Sequence, residues 1–224
     1  GYESISEAVN AVKDGETITL LKDCAGNGVV VPSGKNFTLD FAGHTYTIDG
    51  TTVGSAGTET NGFQLLQGST IVMKNGTLTS EKAKILIQNY SNLTLKDMTL
   101  EGGNDYTLSN NNGKVVIDGT TINAEAVAFD VCSFGSYTGA DVTVTGGSTI
   151  NGDIEVSKYN EAPDLKLHIE DATVTGKLVL SDGNPYEVVT KGATVEVSIP
   201  EDYKWVDDTQ LAMKDYVAQV GDKK

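Results

Sequence analysis

Six segments of the chain repeat one short pattern: an apolar residue, two or three turn-forming residues, then Thr or Ser leading back to a hydrophobe. They are Phe41-Ala-Gly-His-Thr-Tyr46, Met73-Lys-Asn-Gly-Thr-Leu78, Leu95-Lys-Asp-Met-Thr-Leu100, Ile117-Asp-Gly-Thr-Thr-Ile122, Val144-Thr-Gly-Gly-Ser-Thr-Ile150 and Ile169-Glu-Asp-Ala-Thr-Val174. Their first residues are separated by 32, 22, 22, 27 and 25 positions. A period in this range, filled with strand-forming residues, marks a solenoid in which each repeat is one turn of a coil stacked on the last. A repeat that continues through most of 224 residues argues for one elongated domain.

Each coil reads as three short strands. Leu39, Ile71, Leu93, Val115, Val142 and Leu167 form a column two residues upstream of the repeat's first residue, and a step of two keeps both columns on one face. Leu78, Leu100, Ile122, Ile150 and Val174 form another inward column after the turn. A third strand contributes Leu65, Ile87, Leu108, Val131, Val156 and Leu180. The second turn position holds Gly43, Asn75, Asp97, Gly119, Gly146 and Asp171, residue types that tolerate a left-handed backbone.

Ser4-Ile-Ser-Glu7 is a capping box. Ile5, Ala8, Val9 and Val12 follow at helical spacing, and Gly15 supplies a left-handed stop. A short amphipathic helix here would cover the open apolar end of the stack and block edge-to-edge association. Three regions follow from these patterns: a cap helix over 1–16, a parallel β-helix of about eight coils over 17–200, and a C-terminal cap or tail over 201–224. In the tail, Tyr203-Lys-Trp-Val206 and Gln210-Leu-Ala-Met213 are expected to pair as a capping hairpin across Asp207-Asp-Thr209, and residues 215–220 to form a helical turn.

With these residues in view, the chain resembles the right-handed, single-stranded parallel β-helices of the pectin-lyase-like superfamily. More narrowly, it is similar to β-helix repeat domains of large bacterial surface proteins. The opening Ser4-Ile-Ser-Glu-Ala-Val with Lys13-Asp-Gly-Glu-Thr-Ile-Thr-Leu20 resembles their first coil, and Ile199-Pro-Glu-Asp-Tyr-Lys-Trp-Val206 a segment that closes them. The resemblance implies an all-β fold and leaves activity open, because that superfamily includes lyases, hydrolases, adhesins and phage tailspikes.

Charge narrows the partners. Net charge is −15, from 31 acidic and 16 basic residues, every one of the latter Lys. Such a surface repels nucleic-acid phosphates and anionic headgroups, so neither nucleic acid nor membrane insertion is expected. The absence of Arg also removes the planar fork that grips carboxylates two at a time. Abundant Thr, Asn and Gly with only two cysteines suits a secreted or cell-surface bacterial protein, and an opening at Gly1 rather than Met suits a mature or excised fragment. Cys24 and Cys132 fall in the first and fifth coils, roughly 19 Å apart at about 4.8 Å per coil. A disulfide spans at most about 7 Å between Cα atoms, so two unpaired thiols are expected. Capped ends predict a monomer, whereas a tailspike would be a trimer.

The resemblance directs attention to catalytic residues. Lyases of that superfamily use an Arg or Lys base, usually with calcium; only Lys is available here, and Lys74 and Lys96 occupy equivalent turn positions on adjacent coils, as solvated turn residues. Hydrolases of the superfamily place Asp residues on neighbouring strands and often carry a Gly-His-Gly. Here the single Asp-Asp, Asp207-Asp208, lies outside the coils, Gly43-His44 is followed by Thr45, and His168 sits alone and outward between Leu167 and Ile169; neither histidine has a partner at sensible spacing. Asp97 and Asp118 share a turn region on adjacent coils, too few oxygens for calcium. No catalytic residue, metal site or cofactor is therefore predicted. The remaining signal is a corner where loops leave the third strand. Tyr90, Asn112, Tyr137, Tyr159 and Tyr186 recur there among amides and hydroxyls, and stacking would align them as an edge for a glycan or a surface protein. The expected function is a noncatalytic adhesive module or rigid spacer; the alternatives are a polysaccharide lyase or glycosidase, and a phage tailspike-like protein.

Overall fold

The computed structural model describes residues 1–158, 165–180, 187–190, 193–198, 203–205 and 211–213. It is an all-β parallel solenoid of about seven turns with one short N-terminal helix. Every pairing between successive coils is parallel, and each coil contributes to three faces, as Asn92–Gly102 followed by Tyr106–Asn110 illustrates. The turn count is lower than about eight because the second coil is long: Phe37 pairs with Ile71, 34 residues on, whereas Thr17 pairs with Thr38 after 21 and Ile71 with Leu93 after 22.

The helix Ile5–Ala11 begins as its sequence dictates. The Ser4 hydroxyl accepts the Glu7 amide at 3.1 Å, and the Glu7 carboxylate accepts the Glu3 amide at 3.1 Å. Its buried stripe, Ile5, Ala8 and Val9, packs against the strand Val29–Val31. Lys35 Nζ donates to the carbonyls of Asn10 and Val12 at 3.2 and 3.3 Å, placing a cation at the helix C-terminus. Gly15 is left-handed, with φ of 76°, but the helix has already ended at a Val12 cap, so Gly15 turns the chain into the strand Thr17–Thr19.

Of the inward columns, the one after the turn is as expected: Leu78, Leu100, Ile122, Ile150 and Val174 are successive register partners. The column before the turn starts with Phe37, not Leu39. Leu39 pairs with Met73, and Phe41 lies within a bend two residues longer than that of the next coil. Phe41 is nevertheless fully buried, because it covers Gly76 on the next coil; a Cβ there would collide with Phe41 Cβ and the His44 carbonyl. Five of the six expected left-handed turn residues have positive φ: Gly43, Asn75, Asp97, Gly119 and Gly146, with Asp171 the exception. The glycines at 119 and 146 have a second reason, since a Cβ at either would strike the Asp97 or Asp118 carboxylate of the coil before it.

The third face differs most from expectation. Ile87 pairs with Phe63 and Leu108, and Leu108 with Phe129, so Leu65 and Val131 belong to a separate column. That column runs Val31, Leu65, Asn89, Asn110, Val131, Val156 and Leu180, placing two fully buried asparagines among aliphatics. Asn89 Nδ2 donates to Asn110 Oδ1 at 3.1 Å and to the Ser91 carbonyl at 3.2 Å, while its Oδ1 accepts from the Ser91 amide and hydroxyl. Tyr203–Trp205 and Leu211–Met213 pair as the expected antiparallel hairpin; residues 207–209 and 215–220 lie outside the described residues. Cys24 and Cys132 are both free thiols.

Burial of Phe41 gives a direct test of the long bend. Phe41→Ala should cost about 3–5 kcal/mol, as for a fully buried aromatic, whereas Ser4→Ala should cost about 1 kcal/mol from loss of the cap alone; urea unfolding measures both.

Candidate functional site

The tyrosine corner is built by two coils and a loop. Tyr90 follows the strand Ile85–Asn89, its amide bonded to the Leu65 carbonyl at 2.8 Å. Tyr137 is delivered by the turn after Ser133, with Gly135 left-handed and the Tyr137 amide on the Phe134 carbonyl at 3.2 Å. The two rings lie 4.8 Å apart, tilted by 39°, an aromatic contact worth about 0.5–1.5 kcal/mol beyond burial. Asn112 ties the corner together: its Nδ2 donates to the Tyr90 carbonyl at 3.0 Å, and its Oδ1 accepts from Thr138 Oγ1 at 3.2 Å. Burial, then the neighbouring Tyr137, pushes the Tyr90 phenol above its ordinary pKa.

Three of the five expected residues, Tyr90, Asn112 and Tyr137, thus meet at one place. Tyr159 and Tyr186 lie outside the described residues. Alongside the tyrosines is an open hollow of about 350 Å³ bordered by Asn92, Asn112, Thr138, Asp141 and Lys166. Phe134, 60 % exposed, projects from the same loop as Tyr137. Amides, a hydroxyl, a carboxylate and a cation therefore border one concavity, and Asn112 links it to the tyrosine pair through the Tyr90 carbonyl.

A second cluster occupies the outward side of the third face, where Gln64, Gln88, Ser109, Asp130 and Glu155 are successive register partners. Gln88 Oε1 accepts from Asn61 Nδ2 at 2.8 Å and Gln64 Nε2 at 3.2 Å, and Gln88 Nε2 donates to the Tyr90 hydroxyl at 3.1 Å. Asp130 is buried; its Oδ1 accepts the Asn110 amide at 2.6 Å and its Oδ2 the Ser109 hydroxyl at 3.2 Å. Tyr106 donates to Glu155 Oε2 at 2.9 Å across two coils. Burial, only partly offset by the Asn110 and Ser109 bonds and reinforced by Glu155, pushes Asp130 up to about 7. The adjacent Cys132 thiol is pushed up to about 12 by burial and then by Asp130, which makes it a poor nucleophile.

Sequence reading found no paired carboxylates in the coils, yet Asp130 and Glu155 stand side by side. The signal was available in the sequence: Asp130 and Glu155 each precede a member of the same inward column, Val131 and Val156. The same kind of contact corrects His44. It was expected to lack a partner, but its Nδ1 lies 3.2 Å from Asp23 Oδ1 because Cys24 pairs with Tyr46. His168 points outward as expected but is half-buried and engaged, not alone in solvent. Lys74 and Lys96 are register partners, and Lys74 forms an ion pair with Asp40 at 3.4 Å. Among the described residues no three His, Cys, Asp or Glu side chains converge on a possible metal position. No described helix is long and apolar enough to cross a membrane.

Comparison with protein-family models, curated proteins and solved structures returns no match for this chain.

Asp130 links this cluster to pH. Its folded pKa lies above the unfolded value of about 3.9, so between about pH 4 and 7 the folded state holds a proton that the unfolded state has lost. Stability from this group therefore falls as pH rises across that window and levels off above about 7. Urea unfolding at pH 4.5 and 7.5 should show this decline, and Asp130→Asn, which keeps an acceptor for the Asn110 amide, should flatten it.

Proposed function

We propose that the chain is a noncatalytic binding module and rigid spacer of a secreted or surface-displayed bacterial protein, engaging a glycan or surface protein at the Tyr90–Asn112–Tyr137 corner. The observation that carries this reading is the convergence of the tyrosine pair, exposed Phe134 and the polar hollow. Flat rings with fixed amides beside a concavity provide stacking and hydrogen bonding together, the combination that sugars and protein loops both use. The resemblance to bacterial β-helix surface domains supports the setting, and the net charge of −15 favours neutral or basic ligands over acidic polymers. The parallel stack supports the spacer role, since every coil is tied to the next along its strands. Screening against a glycan array and a panel of surface proteins should yield a ligand, with at least tenfold weaker binding by Tyr137→Ala. Unchanged binding by that variant would remove the corner, and no ligand at all would leave only the spacer role.

A second reading, a carbohydrate-active enzyme of the pectin-lyase-like superfamily, is favoured by one observation. Asp130 and Glu155 are neighbouring carboxyls, and Asp130 holds its proton near neutral pH. Two carboxyls in unlike environments are the usual basis of acid–base assignment in glycoside cleavage. Against it, Asp130 is buried and both of its oxygens are engaged within the fold. Incubation with pectate, other uronates and neutral glycans, with and without calcium, is expected to give neither ultraviolet-absorbing products nor new reducing ends. Products that disappear in Asp130→Asn would establish the enzyme instead.

A further inference from the structure

The repeating turn accounts for its left-handed residues and its inward hydrophobes, but not for the threonine between them. Thr45, Thr77, Thr99, Thr121, Thr149 and Thr173 are register partners on six successive strands of the second face, and Thr194 continues the backbone register. Each of the six precedes a buried residue, so strand alternation points it outward, and each is partly or fully exposed. Strand propensity favours threonine, but it acts equally on the neighbouring face. There the corresponding outward column reads Thr38, Val72, Thr94, Val116, Thr143 and His168. An unbroken threonine column is therefore more than propensity provides.

The hydroxyls themselves are unused. Elsewhere the protein consumes them: Thr107 donates to the Gly102 carbonyl, Thr120 to the Asp118 carbonyl and Thr138 to Asn112. Among the described residues, the six ladder hydroxyls make no hydrogen bond within the protein. A second rank two residues on reads Thr47, Thr79, Glu101, Asn123, Asn151 and Thr175. Its later members are tied together: Asn123 Nδ2 donates to Glu101 Oε1 at 3.3 Å, Asn151 Nδ2 to Asn123 Oδ1 at 2.8 Å, and Thr175 Oγ1 to Asn151 Oδ1 at 3.2 Å. At the N-terminal end both ranks open into a hollow of about 530 Å³ bordered by Asp23, Cys24, Ala25, Thr45 and Thr47. Asp23 is fixed there by the Thr45 amide at 3.0 Å and by His44, with most of its side chain exposed.

We propose that this face binds an extended, neutral glycan chain lying along the threonine ladder, about one sugar per coil, with one chain end in the Asp23 hollow. Rungs recur every ~4.8 Å, close to the rise of an extended sugar chain, and six rungs span roughly 24 Å. Each threonine offers a hydroxyl that both donates and accepts, beside a methyl that suits the C–H face of a sugar ring. The ladder carries no cation, and the net charge of −15 disfavours an acidic polymer. This site is on a different face from the tyrosine corner and does not depend on it.

Native affinity electrophoresis in xylan, mixed-linkage β-glucan and galactomannan, with pull-downs on cellulose and chitin, tests the assignment. At least one polymer should retain the protein. Thr77→Val combined with Thr99→Val and Thr121→Val, which keeps side-chain shape and strand preference, should weaken retention at least tenfold with unchanged thermal unfolding. Tyr137→Ala should leave it intact. The proposal is overturned by unaltered retention of the triple variant, by retention lost only in Tyr137→Ala, or by no retention on any of the five polymers. Shaping of ice crystals without glycan retention would assign the ladder to an ordered water lattice and overturn it equally.

Discussion

Each strand of the solenoid draws its hydrogen bonds from the coil before and the coil after, and this parallel register governs everything else in the molecule. Side chains alternate with a period of two, so a coil arriving one residue out of phase would turn its apolar set toward water. Left-handed residues at Gly43, Asn75, Asp97, Gly119 and Gly146 let the chain bend without losing phase. The bend that holds Phe41 exceeds that of the next coil by two: four residues separate Asp40 from Thr45, and two separate their partners Lys74 and Thr77. An insertion of two preserves the alternation, so Tyr46 still stands over Leu78. The displaced Phe41 is then buried over Gly76, where the missing Cβ leaves room.

The same register makes buried polar groups tolerable. An unpaired buried amide costs about 1–3 kcal/mol, so Asn89 and Asn110 would be liabilities in isolation. Stacked, they satisfy each other. Asn110 is also held from the next coil, its amide by the Asp130 carboxylate and its Nδ2 by the Asp130 carbonyl. Asp130 therefore has a structural occupation whatever else it does. Its raised pKa follows from the same burial, since removing a carboxylate from water disfavours the charged form more than two hydrogen bonds favour it. The single buried side-chain atom left without a partner among the described residues is Ser133 Oγ, at the start of the loop that carries Phe134 and Tyr137.

Fold class was legible in the sequence because the turn repeats every coil and its residue types are restricted by backbone conformation. Asn75 and Asp97 sit at left-handed positions that few residues adopt, and the inward column from Leu78 to Val174 lies beside them in sequence. The third face was harder to read. It is separated from the marked turn by stretches of varying length, such as that between Asn123 and Val127, where the register shifts within the strand. Both Phe129 and Val131 are apolar and inward, so pattern alone could not choose between them. That choice decides what Asp130 lies beside on the coil before it: Ser109 in the register found, Thr107 in the other. Contacts between coils, such as His44 with Asp23 or Lys74 with Asp40, were invisible for a similar reason. They depend on register to the residue, whereas the repeat fixes it only to the turn.

The two proposed binding surfaces ask for ligands of different shape. At the corner, Asn112, Thr138, Asp141 and Lys166 border one concavity beside the Tyr90–Tyr137 pair, so a compact group is met from several sides and gains little from being part of a longer chain. The threonine ladder has no comparable enclosure beyond its first rungs, and a single sugar there would meet one hydroxyl, too little to offset the cost of immobilising it. A polymer engages many rungs for one loss of overall translational freedom, so its affinity should grow with length until the rungs are filled. Backbone register fixes the spacing of those hydroxyls before any ligand arrives, which lowers the ordering cost of binding. The device that keeps hydrophobes aligned inside the coil thus also keeps hydroxyls aligned outside it, and selection for the first would have made the second available.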